Sequence, residues 1–412
     1  MCEFEKEINR CLNCNNKPCK NACPLENDIP RIISLIKQGN CKDAYEVLSE
    51  TTVLPAICSI ICPHEKQCRK NCTLKYKGEA LSVGVIESNL AKMAVEKDWK
   101  LPMFDNSLKG KKVAIVGAGP AGLTAAAFLA RYGAEVSIFE KREKLGGVLM
   151  YGIPDFRLDK TLLENTINRL IEELNIKVFC NYKFNDNLNY DDLLNKYDAI
   201  FLGMGANKSK MLNISGEKLK GVFGGNELLE YDFHPDYNDK VVFVSGGGNV
   251  AIDTARIIKR KGAKRTVIVY RRSEEEMPAD LKEVADAKKD GVEFIFNTNV
   301  INIIGKEKVE KIECIKTKYD ENEKLVNVKD TNYFLDADYF VMSIGSTVDE
   351  SCVIDNKIEL NKNRKVLVND DMQIGNSKFF AGGNIISDNS SAAMAARSGR
   401  DAAYKIRDFL LE

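Results

Sequence analysis

The chain has 412 residues, enough for two or three domains that each bury a core, and its 44% hydrophobic content excludes a disordered chain. Lys plus Arg and Asp plus Glu both number 60, so the net charge of zero excludes a long-range pull toward nucleic acid or an anionic membrane. The two histidines, His64 and His234, leave little room for His-based acid–base catalysis or a His metal site, and both read as surface or internally satisfied side chains.

The first ten residues, MCEFEKEINR, are charged and lack the apolar core of a secretory signal, which points to the cytoplasm. Residues 1 to about 105 read as a separate helical region, with helical stretches at Pro30–Gln38, Lys42–Ser49 and Ser82–Glu96 and no strand pattern. Ten of the thirteen cysteines crowd into the first 72 positions. One run is Cys11-x2-Cys14-x4-Cys19-x3-Cys23-Pro24, and the other is Cys58-x3-Cys62-Pro63-x4-Cys68-x3-Cys72. Three compact thiolates followed by a Cys-Pro that reaches a second cluster is the ligation logic of bacterial ferredoxins, here with longer spacing, and two clusters are the natural count. Structural zinc is the competing reading, because CxxC pairs also build closed tetrahedral sites. A disulfide framework fits a reducing compartment poorly. Cys2 reads as structural, since no later segment resembles an amidotransferase. Cys180, Cys314 and Cys352 have no CxxC partner, so a dithiol reductase mechanism lacks its working pair, and they read as buried, inert thiols.

After a linker around Leu101–Gly110, a strand (Lys112–Val116), a Gly-rich turn, a small-residue helix (Ala121–Tyr132) and a second strand (Glu135–Glu140) form a βαβ unit. The uncharged stretch Val113–Ala130 is broken by Gly117, Gly119, Pro120 and Gly122, which excludes a membrane span. The turn G-A-G-P-A-G, Gly117 to Gly122 with Ala121 inside it, lets backbone N–H groups and the helix dipole meet a pyrophosphate. Glu140 ends the second strand about 20 residues on, where a ribose-binding acid belongs. Gly146-Gly147 follows, suited to close backbone contact with a large cofactor or to a plain turn.

The same grammar returns with a strand at Lys240–Ser245, Gly246, Gly247 and Gly248, a helix from Asn249, Val250 and Ala251 through Lys261, and a strand at Thr266–Tyr270. Arg271 and Arg272 stand where the first unit has its acid, and paired guanidinium groups suit the 2′-phosphate of NADPH. The bland reading is a basic surface turn facing Glu274, Glu275 and Glu276. The expected class is therefore α/β, with two Rossmann-like nucleotide-binding domains behind an α-helical iron–sulfur domain. The nucleotide domains would span 110–225 with 345–412, and 226–344; the final segment Ser390–Leu411 reads as a helix.

Taken in order, these features resemble the family of the glutamate synthase small chain, dihydropyrimidine dehydrogenase's N-terminal part and the large subunit of NADH-dependent ferredoxin-NADP oxidoreductase. The resemblance covers nearly the whole chain. It is carried by the Cys runs with Leu54-Pro55 between them, GAGPAG at 117, Tyr151-Gly152-Ile153-Pro154 with Phe156-Arg157-Leu158, GGGNVAID at 246 and Ala381-Gly382-Gly383. It implies that the first fingerprint binds FAD through Gly117, Gly119, Pro120, Ala121, Gly122, Glu140, Lys141, Gly147 and Val148, with Arg157 nearby and Gly383 and Asn384 reaching the flavin. The family usually has Asp where this chain has Asn384. The resemblance assigns Cys11, Cys14 and Cys19 to one 4Fe-4S cluster, with Glu87 as its fourth ligand, and Cys23, Cys62, Cys68 and Cys72 to the other, leaving Cys58 over. It implies electron transfer from NADPH through FAD and two 4Fe-4S clusters to a separate catalytic subunit, glutamate synthase large-chain-like, or to ferredoxin. A dihydropyrimidine dehydrogenase input subunit and a ferredoxin-linked transhydrogenase are readings of the same class, and a zinc-stabilised nucleotide-binding scaffold is the reading outside it. No catalytic side chain is assigned, and a hetero- or homo-oligomer is expected.

Overall fold

A computed structural model describes residues 3–231, 233–352, 358–388 and 391–412. Cys2, Ser390 and the side chain of Cys352 lie outside the described residues. Contacts divide the chain into two compact units, 1–150 with 155–205 and 350–412, and 151–154 with 206–349.

The longer helices that open the first unit are Glu3–Arg10, Ile29–Lys37, Cys41–Ser49, Pro55–Ile61 and Val83–Glu96. Asp28 starts the second of them by accepting a hydrogen bond from Arg31 N at 3.3 Å, with Pro30 in the first turn, where a missing N–H costs nothing. Ile29, Ile32, Ile33, Leu48, Ile86 and Leu90 form the core of this helical head. Behind it a five-stranded parallel sheet runs in the order Phe379–Ala381, Ala199–Leu202, Lys112–Val116, Glu135–Glu140, Lys177–Cys180. Its centre strand Lys112–Val116 is an apolar run because helices cover a parallel sheet on both faces. The helix Pro120–Arg131 is buried along its length, and the C-terminal helix Ala392–Leu411 lies against it. That approach requires small residues, since a Cβ on Gly399 would stand 2.0 Å from Ala121 O.

The helical head packs on the first sheet within one compact unit. Arg131, fully buried, donates to Ser49 O at 2.6 Å and Pro102 O at 2.7 Å and stacks on Phe104, 3.8 Å from the ring centre. Arg400 donates to Leu25 O at 2.7 Å and Arg169 to Ala94 O at 2.9 Å. Guanidinium groups bonded to carbonyls on the other element, those of Arg131 and Arg400 buried, fasten head to sheet as one unit.

The second unit carries its own five-stranded parallel sheet, in the order Val222–Gly224, Tyr339–Met342, Val241–Ser245, Arg265–Val269, Glu293–Ile295. An antiparallel sheet built on Thr298–Ile304 and Lys311–Tyr319 packs beside it. Val222–Gly224 pairs with Tyr339–Met342, so that strand belongs to the sheet of the second unit. Among the described residues no helix is long and apolar enough to cross a membrane.

Candidate cofactor-binding sites

Gly117 has φ +97°, a conformation that disfavours any side chain, and a Cβ there would also stand 2.7 Å from Gly203 O. A Cβ on Gly122 would meet Gly117 O at 1.9 Å, so this glycine lets helix close on strand. Gly119 is different: its nearest obstacle would be Gly147 Cα at 3.9 Å. The protein leaves open space there, which is what the approach of a phosphate needs. Pro120 opens the helix, and Ala121 lies buried behind it, opposite Gly383.

Glu140 is 4% exposed. Its two oxygens accept from Ala118 N at 2.8 Å and Arg142 N at 3.0 Å, and burial pushes its carboxyl up against the pull of those two amides. It therefore braces the glycine turn, with lone pairs left for a ribose hydroxyl. Lys141 and Val148 are exposed beside it, and Arg157 lies half-buried ahead of the helix Lys160–Glu173.

Gly383 donates its N–H to Ser398 Oγ at 2.8 Å. Asn384 follows with its Oδ1 buried and without a hydrogen-bond partner among the described residues, an acceptor that a cofactor hydroxyl or ring N–H would satisfy. Sequence reasoning missed Lys365, 3% exposed, whose Nζ donates to Asn384 O at 2.9 Å and pairs with Asp388 at 2.9 Å. No motif marks it, because it meets Asn384 only through the fold.

In the second turn a Cβ on Gly246 would stand 2.2 Å from Ser343 O and one on Gly247 2.4 Å from the Tyr270 ring, while one on Gly248 would meet nothing within 4 Å. Asn249 Oδ1 accepts from Asp280 N at 2.9 Å and Gly247 O from Ala279 N at 3.1 Å, which fastens the turn to the segment 279–280. Val250 is half-buried and Ala251 fully buried at the third fingerprint position. Arg271 is exposed, with no ion pair among the described residues, whereas Arg272 stands 4.0 Å from Glu276. The acids of the turn thus stand near Arg272, and Arg271 faces solvent.

The cysteines are brought together differently from the division that the resemblance implies. Cys72 does not join Cys23, Cys62 and Cys68; it lines one cavity with Cys11, Cys14 and Cys19, walled also by Leu12, Thr73 and Leu74. Glu87 does not join Cys11, Cys14 and Cys19; its charge raises the thiol pKa values of Cys23, Cys62 and Cys68. Cys58, left over in that division, is buried and hydrogen-bonded to Cys62. The physical reason is chain crossing. Leu81 N donates to Cys72 Sγ at 3.5 Å and Cys14 Sγ to Thr73 Oγ1 at 3.4 Å, which draws the end of the second run to the start of the first. Glu87, five residues into the helix that follows, faces the other group.

Glu87 is fully buried and its carboxyl is pushed up to about 7 by that burial, while Asn27 donates to it at 2.8 Å. Thr51 Oγ1 in turn donates to Asn27 Oδ1 at 2.6 Å. Among the described residues no three His, Cys, Asp or Glu converge closely enough to share one ion. The second group packs against the start of the C-terminal helix, where Ala393 and Ala396 cluster with Leu25 and Cys58 beside Cys23 and Cys62. Elsewhere Cys314 is buried, and Cys180 is half-buried rather than buried; both are free.

Comparison with known proteins follows this layout. Residues 111–399 match the pyridine nucleotide-disulphide oxidoreductase family, and residues 2–99 match dihydropyrimidine dehydrogenase domain II, 4Fe-4S cluster. The chain is 34% identical to the glutamate synthase [NADPH] small chain of Halomonas elongata, over 98% of this chain and 90% of that protein. It is 32% identical to the NADP(+)-dependent formate dehydrogenase subunit beta of Moorella thermoacetica, over 95% of this chain but only 60% of that one. Among solved structures, Mycobacterium tuberculosis FprA in complex with NADPH aligns over 72% of this chain and 84% of its own with TM-score 0.64 at 20% identity, a likeness of fold.

Proposed function

The chain belongs to the family of the glutamate synthase small chain, and on that premise we propose that it takes electrons from NADPH through FAD and two 4Fe-4S clusters to a separate protein. The glutamate synthase large-chain-like subunit is the partner that this reading favours. A flavin, once bound, accepts a hydride and gives up single electrons, which links a two-electron nicotinamide to one-electron clusters.

The chain's own residues supply binding and order. Gly119 and the start of the helix at Pro120 leave room and N–H groups for a pyrophosphate, Glu140 holds the turn, and Asn384 offers an acceptor. Gly246, Gly248 and Ala251 repeat the arrangement for NADPH, with Arg271 and Arg272 for its 2′-phosphate. We assign Cys11, Cys14, Cys19 and Cys72 to one cluster, and Cys23, Cys62, Cys68 and Glu87 to the other. The single observation that carries the reading is the packing of Ala393 and Ala396 against the Cys23 and Cys62 group. That helix follows the Gly383–Ile385 turn, so one continuous segment runs from the flavin contacts to the thiols.

The test is the visible spectrum and metal content of protein purified without oxygen. Flavin bands with about eight irons per chain are expected for two clusters; a colourless protein holding zinc would reject the reading in favour of a scaffold.

A further inference from the structure

Lys365 is a buried cation outside both glycine turns and both cysteine runs, only 3% exposed. A tight turn delivers it. Asn361 Oδ1 accepts from Lys365 N at 3.2 Å, Asn361 N donates to Lys365 O at 2.8 Å, and Arg364 between them has φ +59°. The next residue, Val366, donates its N–H to Ile385 O at 2.9 Å, which lays this segment along the turn Gly383–Ile385. Lys365 Nζ then donates to Asn384 O at 2.9 Å and pairs with Asp388 Oδ1 at 2.9 Å. An ammonium carries three N–H groups, so one is left without an acceptor among the described residues. Asn384 Oδ1, on the residue whose carbonyl the lysine grips, is buried and has no donor among the described residues. The Asp388 side chain is 62% exposed, so water screens its charge, whereas the ammonium is held out of water.

A buried lysine is a poor way to fasten a turn. Taking an ammonium out of water can cost more than its partner returns, and an apolar side chain of similar volume often holds such a place as well. What the lysine adds is charge and direction. We propose that Lys365 is a positioning residue of the flavin site: it fixes the Asn384 turn, and its positive charge favours the reduced form of the bound flavin over the oxidised form. The proposal rests on the electron-transfer reading above. A hydride moves two electrons and one negative charge from NADPH, which leaves as NADP+, so the flavin that receives it becomes an anion. A positive charge held out of water beside the Asn384 contact stabilises that anion, and Asp388 opposes it from the solvent side. Asn384, gripped by its carbonyl, keeps its unpartnered oxygen in one place for a cofactor hydroxyl.

The experiment uses the full chain with its flavin and iron in place. It reads the flavin midpoint potential by spectroelectrochemistry, with flavin loss on dialysis as a second measure. Lys365→Met keeps the length of the side chain and removes its charge. Binding of reduced flavin relative to oxidised should weaken about tenfold, which lowers the two-electron potential by about 30 mV, and flavin should dissociate faster. Lys365→Arg keeps the charge and should return the potential to that of the unaltered protein. Asp388→Asn should move it the other way, and by less, because an exposed carboxylate is screened. Iron content should not change in any of these variants. An unchanged potential in Lys365→Met, an equal drop in Lys365→Arg, or a drop in Asp388→Asn would overturn the proposal. So would faster flavin loss with no change of potential, which would leave Lys365 a brace of the fold alone. If Lys365→Met does not fold, or loses its flavin before a potential can be read, Asp388→Asn decides alone: a rise supports the proposal, and no rise overturns it. Unaltered protein that holds no flavin would remove the electron-transfer reading itself, and that outcome is seen before any variant is made.

Discussion

The two glycine turns begin from one grammar, yet the protein uses their glycines for different reasons. At the first and third positions of the first turn the constraint is internal: Gly117 and Gly122 face backbone oxygens at 2.7 and 1.9 Å from a would-be Cβ. In the second turn the third position is Ala251, which packs buried without conflict. At the middle positions, Gly119 and Gly248, the constraint is absent, because the protein leaves the space beyond them open. A glycine that the fold does not need is needed by what binds, and this holds in both turns. The units part at the end of the second strand, where a buried Glu140 is bonded by two amides and an exposed Arg271 has no ion pair among the described residues. On the proposed assignment, the common residues would meet what the two nucleotides share and the strand ends what distinguishes them.

That contrast can be broken most forcefully at Gly122. Gly122→Ala drives a methyl into Gly117 O, and a loss of about 3 kcal/mol or more in thermal unfolding is expected, whereas Ala251→Gly should cost only about 1 kcal/mol. Equal effects would show that the third positions are equivalent after all. Arg271→Ala with Arg272→Ala should raise KM for NADPH on the order of 50-fold, as the loss of charge-assisted bonds to a phosphate implies, and leave KM for NADH nearly unchanged. Loss of both to the same degree would remove the phosphate from the assignment. Glu140→Gln replaces one acceptor by a donor that faces a backbone N–H. An unsatisfied amide costs about 1–3 kcal/mol, so flavin should dissociate roughly tenfold more readily, as dialysis followed by absorbance would measure. The smallest expected change in the fold is at Gly119→Ala and Gly248→Ala. Melting of the cofactor-free protein should move by no more than about 1 kcal/mol, while flavin retention and NADPH affinity respectively are lost. A collapse of the fold in either variant would mean that the open space is not open.

Much of this was legible because it is local. Each βαβ unit lies within about thirty residues, so its strand, turn and helix are written contiguously, and the elements appear within one or two residues of their expected bounds. The cysteine runs likewise mark a ligand field by spacing alone. The departures share a cause: each depends on residues far apart in the chain. Cys72 meets Cys11 rather than Cys62, Glu87 faces Cys23 and Cys68, and Lys365 reaches Asn384. Spacing within a run cannot say which run crosses which.

By itself, then, the amino-acid order determined the two nucleotide folds, the glycines that shape them, the acid and the arginines at their strand ends, and the presence of a thiol-rich head. Helix and strand periodicity and the steric demands of glycine act over a few residues, and so they can be read directly. Only the tertiary structure decided how the thiols are partitioned, that the head packs on the first sheet through Arg131 and Arg400, and that the C-terminal helix touches the Cys23 and Cys62 group. These depend on which buried surfaces meet, and that is settled by the packing of the whole core rather than by any stretch of the chain.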